Sequence, residues 1–237
     1  MYQERIYRKE MTAKGLSYFS VVEDETDLYI AADRILKSSA QRAVHEIRSV
    51  IIDYGKKHPE FLNSLAPLEI LKDDPPVIAE MKRAAALVNV GPMAAVAGAV
   101  SDYVGKVLKK DSKEIIVENG GDLYLDVQEE RHIAIVTNSP AFEGLTLKIP
   151  GKQGSLGICT SSGTLGHSLS FGKADAATVL SHNAILADAA ATALGNRVKK
   201  IEDIGAAMEW IQTIPEVTGA LVIIKDKLGA WGEIQFG

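Results

Sequence analysis

Two polar side chains interrupt an otherwise apolar run late in the chain. Between Asn183 and Gly195 only Asp188 and Thr192 are polar, and a spacing of four stacks them on one face of a helix. Every neighbour is Ala, Ile or Leu. A carboxylate in that setting is costly to bury alone, and a hard cation held by the carboxylate, the hydroxyl and nearby carbonyl or phosphate oxygens would satisfy it. The alternative is that Asp188 points to solvent and Thr192 bonds back to the preceding turn. Asp175 is a rival carboxylate, because Ala174-Asp175-Ala176-Ala177-Thr178 echoes Ala187-Asp188-Ala189-Ala190-Ala191-Thr192 with its Thr three residues on.

Two loops carry further chemistry. Asn119-Gly120-Gly121-Asp122 is a strong chain-reversal signal, since Asn and Gly tolerate positive φ; its glycines either only turn the chain or let a ligand lie against the backbone. Thr160-Ser161-Ser162-Gly163-Thr164-Leu165-Gly166-His167 concentrates hydroxyls, backbone donors and an imidazole, a set able to hold phosphate or ribose oxygens or simply to form a solvated loop. Cys159 precedes that loop at the end of a strand-like run. It is either a small buried hydrophobe or, if its thiolate were stabilised, a nucleophile or persulfide carrier. His45, His58, His132 and His182 show no metal-ligand spacing with one another or with Cys159.

The elements that must position these residues follow from hydrophobic period and turn chemistry. Strands are predicted at Tyr18–Val22 and Leu28–Ala31 around an acidic turn. A helix face recurs through Leu36, Ala40, Ala43, Val44, Ile47, Val50, Ile51 and Tyr54, with Ser38 or Ser39 as cap. A loop then leads to a helix opened by Pro75-Pro76 and broken at Gly91-Pro92. The next helix, about 92 to 109, is nearly bare in its first turns (Ala94, Ala95, Ala97, Gly98, Ala99), so something must approach its backbone closely. Ile115-Ile116-Val117 and Leu123-Tyr124-Leu125 flank the Asn119 turn as a β-hairpin. Further strands are predicted at 132–136, 145–149, 156–159 and 168–171, helices at 183–194 (ending at Gly195-Asn196) and 201–211, and a closing hairpin of 221–224 with 231–234 around Lys227-Leu228-Gly229. Strands and helices are partly segregated, which predicts an α+β fold, and no linker divides the 237 residues into two domains.

Composition narrows the function classes. With 31 acidic and 26 basic residues the net charge is -5, and apolar residues make up 46% of the chain, an ordinary globular balance able to bury a core without disulfides. A single cysteine excludes a disulfide scaffold. Basic residues never cluster beyond two neighbours, which argues against nucleic acid as a partner. The charged N-terminal decapeptide is not a secretory signal, and the uncharged Ala84–Ser101 stretch is interrupted by Asn89, Gly91 and Pro92. The expectation is a soluble, cytoplasmic protein without a membrane partner.

Taken together, Gly91-Pro92-Met93-Ala94-Ala95-Val96-Ala97-Gly98, Glu118-Asn119-Gly120-Gly121-Asp122, Gly157-Ile158-Cys159-Thr160-Ser161-Ser162-Gly163 and Ala187-Asp188-Ala189-Ala190-Ala191-Thr192-Ala193 resemble a prokaryotic ApbE-like family, distantly related to the ApbE-type FAD:protein FMN transferases. Tyr2-Gln3-Glu4-Arg5, Glu25-Thr26-Asp27-Leu28 and His58-Pro59-Glu60-Phe61 extend the resemblance over nearly the whole chain. It implies one α+β domain of T-fold-like architecture spanning residues 1–237, with an antiparallel sheet and packed helices. It also implies FAD with Mg2+ as cofactors and transfer of FMN to a threonine of an acceptor protein. By the same resemblance Asp188, Thr192 and the Ala97 carbonyl would ligate the metal, while Asn119, Gly120, Gly121, Ser161, Ser162, Gly163 and His167 would line the nucleotide site. Ala97 stands where the transferases have Lys, and the Asp-Pro that follows their His is missing after His167. These departures fit a site that binds a nucleotide-type ligand without transferring it. The readings from another class are sulfur handling through Cys159, or an inactive binding module on the same scaffold.

Overall fold

Unbroken apolar runs such as Ile115-Ile116-Val117 and Leu221-Val222-Ile223-Ile224 belong to strands covered on both faces. That is their setting in the computed structural model, which describes residues 13–152, 154–164 and 171–237. Among these residues the strands are β1 (Ser17–Glu23), β2 (Thr26–Ala32), β3 (Ile115–Asn119), β4 (Asp122–Asp126), β5 (Arg131–Ala134), β6 (Thr146–Ile149), β7 (Ser155–Ser161), β8 (Ala176–Ser181), β9 (Val217–Ile224) and β10 (Lys227–Gly232). The helices are α1 (Lys37–Lys57), α2 (Pro59–Asn63), α3 (Pro76–Val88), α4 (Val96–Leu108), α5 (Ala184–Arg197) and α6 (Asp203–Ile211).

One antiparallel sheet runs β1-β2-β3-β4-β7-β8-β9-β10, and β5 and β6 pair separately as a ribbon. The fold is α+β, as the segregation of elements predicts. One sheet face presents Leu28, Ile30, Val117, Tyr124, Val179 and Val222 to the helices. The other presents Ile116, Leu125, Ile158, Leu180 and Ile223 to Ile133, Leu147 and Ile149 of the β5–β6 ribbon. A buried ion pair fastens the ribbon, with Arg131 Nη2 2.8 Å from Glu114 Oε2 just ahead of β3.

Most predicted elements are present, and the differences have local causes. Ser38 and Ser39 fall inside α1, whose N-cap is Leu36 with no side-chain cap bond. Asn89, in the left-handed region, ends α3, and a 3-10 turn over Pro92–Ala95 leads into α4. Helix α5 continues through Gly195-Asn196 to Arg197. The closing hairpin turns at Lys225-Asp226, where Lys225 takes φ 55°, so Lys227–Gly229 already belongs to β10. The Asp175 echo opens strand β8, and the likeness to the Asp188 segment is not structural. Residues 168–170 of the predicted strand lie outside the described residues, and Phe171 is not in a strand. Among the described residues no single helix is long and apolar enough to cross a membrane.

Candidate functional site

Helix α5 is apolar almost all round because it is enclosed by β7 and β8 on one side and by α3 and α4 on the other. Its N-terminus is capped by Asn183, whose side-chain oxygen accepts from the N–H groups of Ile185 and Leu186 at 3.0 and 3.2 Å. One turn on, Asp188 is buried with 8% exposure. Its partner is the start of α4: the Gly98 N–H donates to Asp188 Oδ2 at 2.7 Å, and the Ala97 N–H is a second donor. A carboxylate thus sits on the unpaired amides of a helix N-terminus, where a negative charge is favoured. This contact explains the bare first turns of α4. A Cβ on Gly98 would lie 2.4 Å from the Ala184 carbonyl oxygen and 2.7 Å from the Asp188 Cβ.

The β3–β4 turn closes on the same point. Gly120 and Gly121 take φ of 69° and 106°, as a two-residue hairpin turn with both central residues positive requires. Asn119 donates its amide Nδ2 to the Ala97 carbonyl at 3.2 Å, so the turn, α4 and α5 share one polar junction. Asp122 is as buried as Asp188, and its Oδ1 accepts from the Thr160 N–H at 3.2 Å.

Burial, ahead of other influences, pushes the Asp188 carboxyl up to about 7, against the Gly98 and Ala97 N–H groups that favour its ionised form. The Asp122 carboxyl is also raised well above its ordinary value, by burial first and by the Asp188 charge second. Two carboxyls so placed favour a shared proton or an added cation. Among the described residues no group of three or more His, Cys, Asp or Glu is arranged to hold a metal ion. A cation here would therefore rely on hydroxyl, carbonyl and ligand oxygens, the donor set suited to a hard cation. Thr192 lies half-buried one turn beyond Asp188, and the Ala97 carbonyl, anti to the Gly98 N–H in the same trans peptide, is turned to Asn119.

Ser161, Ser162 and Gly163 sit at the end of β7, beside the turn; the position a Cβ would take on Gly121 is 3.8 Å from the Thr160 carbonyl oxygen. Ser161 is buried, its hydroxyl 3.6 Å from where a Cβ on Gly195 would lie. A stack of three glycines draws this strand end onto α5. A Cβ on Gly163 would meet the Gly172 oxygen at 2.3 Å, and one on Gly172 would meet the Gly195 oxygen at 1.8 Å. His167 lies outside the described residues.

Cys159 is fully buried, and its thiol is raised well above the ordinary range by burial first and by the Asp122 and Asp188 charges next. A thiol held protonated without access to solvent is a poor nucleophile, and sulfur handling loses its support. Asp122 is the member of the junction that the motifs do not single out, though a signal exists. It lies two residues before Tyr124 in a strand, on the face that Tyr124 turns to the helices.

The profile of the family described as AbpE bacteria matches residues 8–223. A UPF0280 protein of Methanocella arvoryzae is 39% identical over 211 residues, covering 89% of this chain and 86% of its own. One from Methanocaldococcus jannaschii is 36% identical over 234 residues, covering 96% and 91%. Among solved structures, the flavin transferase ApbE of Vibrio cholerae superposes with a TM-score of 0.60 at 13% identity, over 92% of this chain and 96% of that one. The apo flavinyl transferase ApbE of Pseudomonas stutzeri does so with a TM-score of 0.57 at 12% identity, over 92% and 94%. At such identity the likeness is one of fold.

Proposed function

The chain belongs to the AbpE bacteria family, and from that premise we propose that the junction of α4, the Asn119 turn and α5 is a Mg2+-dependent nucleotide site whose ligand is FAD. The observation that carries the reading is the buried Asp188 carboxyl, bonded to the Gly98 N–H, one helical turn before Thr192 and with no basic side chain bonded to it in the described structure. Asp188, Thr192 and the Ala97 oxygen would hold the cation, which when bound offsets the negative charge of a pyrophosphate. Asn119 fixes the Ala97 carbonyl by its amide bond, and the positive-φ glycines leave a backbone surface free of side chains for the nucleotide. Ser161, Ser162 and Gly163 are assigned to nucleotide binding, as is His167, which lies outside the described residues.

The same reading assigns the chain an acceptor protein. A threonine hydroxyl would attack the phosphorus of the FMN half, forming a phosphoester and releasing AMP, with the hydroxyl proton passing to a base.

Calorimetric titration with FAD, FMN and ATP, each with and without Mg2+, tests the site. FAD binding that requires Mg2+ and disappears in Asp188→Ala, with the circular dichroism unchanged, is the expected result. Equal affinity without Mg2+, or in the variant, would remove the metal site. Release of AMP on adding threonine-containing acceptor proteins separates a transferase from a binding module.

A further inference from the structure

The turn carrying Ser162 and Gly163 is fastened by a side chain from just ahead of β8. Asp175, just ahead of β8, has both carboxylate oxygens engaged. Oδ1 accepts from the Thr164 hydroxyl at 3.1 Å, and Oδ2 accepts from the Lys225 N–H of the β9–β10 turn at 2.7 Å. The Asp175 N–H donates to the Ile223 carbonyl at 2.8 Å, which ties the residue to the end of β9. Thr164 passes the restraint on. Its N–H donates to Ser162 Oγ at 3.1 Å, the two hydroxyl oxygens are 3.3 Å apart, and Asn138 Nδ2 donates to the Thr164 carbonyl at 3.1 Å. Between these contacts the Gly163 N–H donates to the Ala174 carbonyl at 2.9 Å.

A carboxylate only accepts, so the Thr164 hydroxyl donates to Asp175 and its oxygen is left to accept, as it does from Asn138 Nδ2 at 3.4 Å. The Thr164 hydroxyl is then oriented from the Asp175 end. An amide at position 175 would not impose this orientation, because its nitrogen can donate to the same hydroxyl.

We propose that Asp175 is a positioning residue of the nucleotide site, acting through Thr164 to set the conformation of the Ser162-Gly163 turn. The inference rests on the nucleotide reading above, and it assigns a role to a carboxylate that touches neither the metal junction nor the ligand.

FAD titration in the presence of Mg2+ on the full chain tests it, with Asp175→Asn, Thr164→Val and Thr164→Ser beside the wild type. Loss of one such charge-assisted bond should weaken FAD on the order of tenfold in Asp175→Asn and Thr164→Val. Combining the two should cost no more than the weaker single variant, because both cut the same relay. Thr164→Ser, which keeps the hydroxyl, should restore wild-type affinity, a rescue that a packing role for the threonine methyl would not give. Affinities within about threefold of a wild type that does bind FAD, for both Asp175→Asn and Thr164→Val, would overturn the proposal. Thr164→Ser as weak as Thr164→Val would overturn it as well. A wild type that takes up no FAD defeats the nucleotide reading first and the positioning role with it. Running the wild type before the variants keeps the two failures apart.

Discussion

At the scale of single residues, Asp188 holds two demands in opposition. The α4 amides favour its charge, and burial opposes that charge more strongly, leaving the carboxyl near 7. In the unfolded chain the same group returns to an ordinary value of roughly 3.9. Between those values the native state carries the extra proton, so this group's contribution to stability is full at low pH and declines as pH rises from about 4 to about 7. Asp188→Asn keeps an oxygen for the Gly98 N–H and removes the titration. Urea denaturation at pH 5, 6, 7 and 8 should show a smaller fall in the variant, the difference bounded by roughly 1.4 kcal/mol per pH unit for one proton. Parallel curves for the two proteins would contradict this. The residue was legible because it is a lone acid in an Ala-rich helix. Its neighbour Asp122 was not, because a carboxyl placed at the start of a hairpin strand reads as turn chemistry until the register Leu123↔Ile158 folds β7 against it.

At the scale of elements, the site depends on how closely α4 can approach α5. Gly98→Ala places a methyl where 2.4 Å separates it from the Ala184 oxygen, so the helices must part. Overpacking of this kind costs about 1–3 kcal/mol. Guanidinium denaturation of Gly98→Ala should show a loss of at least that size together with weaker nucleotide binding, whereas an unchanged midpoint would mean that the helices part freely. Sequence signals served the elements unevenly. The spacing along α1, the Pro75-Pro76 pair and the Asn119 turn each have a local physical cause, and each element lies where that cause puts it, whereas at Gly91-Pro92 the left-handed Asn89 ends α3 first and a 3-10 turn delays α4 to Val96. Strand β8 has none: Ala176-Ala177-Thr178-Val179-Leu180-Ser181 is buried on both faces, so it shows no alternation, and its alanines favour a helix. Tertiary pairing with β7 and β9 decides it.

At the scale of the whole molecule, strands that neighbour one another in sequence neighbour one another in the sheet, except where β4 meets β7 across the excursion of the β5–β6 ribbon. Of the residues assigned to the proposed site, Ala97, Asn119, Gly120 and Gly121 lie on one flank and Ser161, Asp188 and Thr192 on the other. A ligand that binds only the native chain raises its stability by about 2.7 kcal/mol at a hundredfold excess over Kd. FAD with Mg2+ should therefore lift the thermal midpoint on the order of 5–10 °C. A midpoint indifferent to FAD and Mg2+ would count against a ligand held by both flanks. The seam has one more implication. Each flank can complete its own hairpins from nearby sequence, yet neither flank alone holds the full set of groups that would grip a nucleotide. If the proposed site takes a nucleotide cofactor, loading would act as a proofreading step: a half-assembled chain would stay empty, and only a molecule that has zipped β4 onto β7 could carry the cargo.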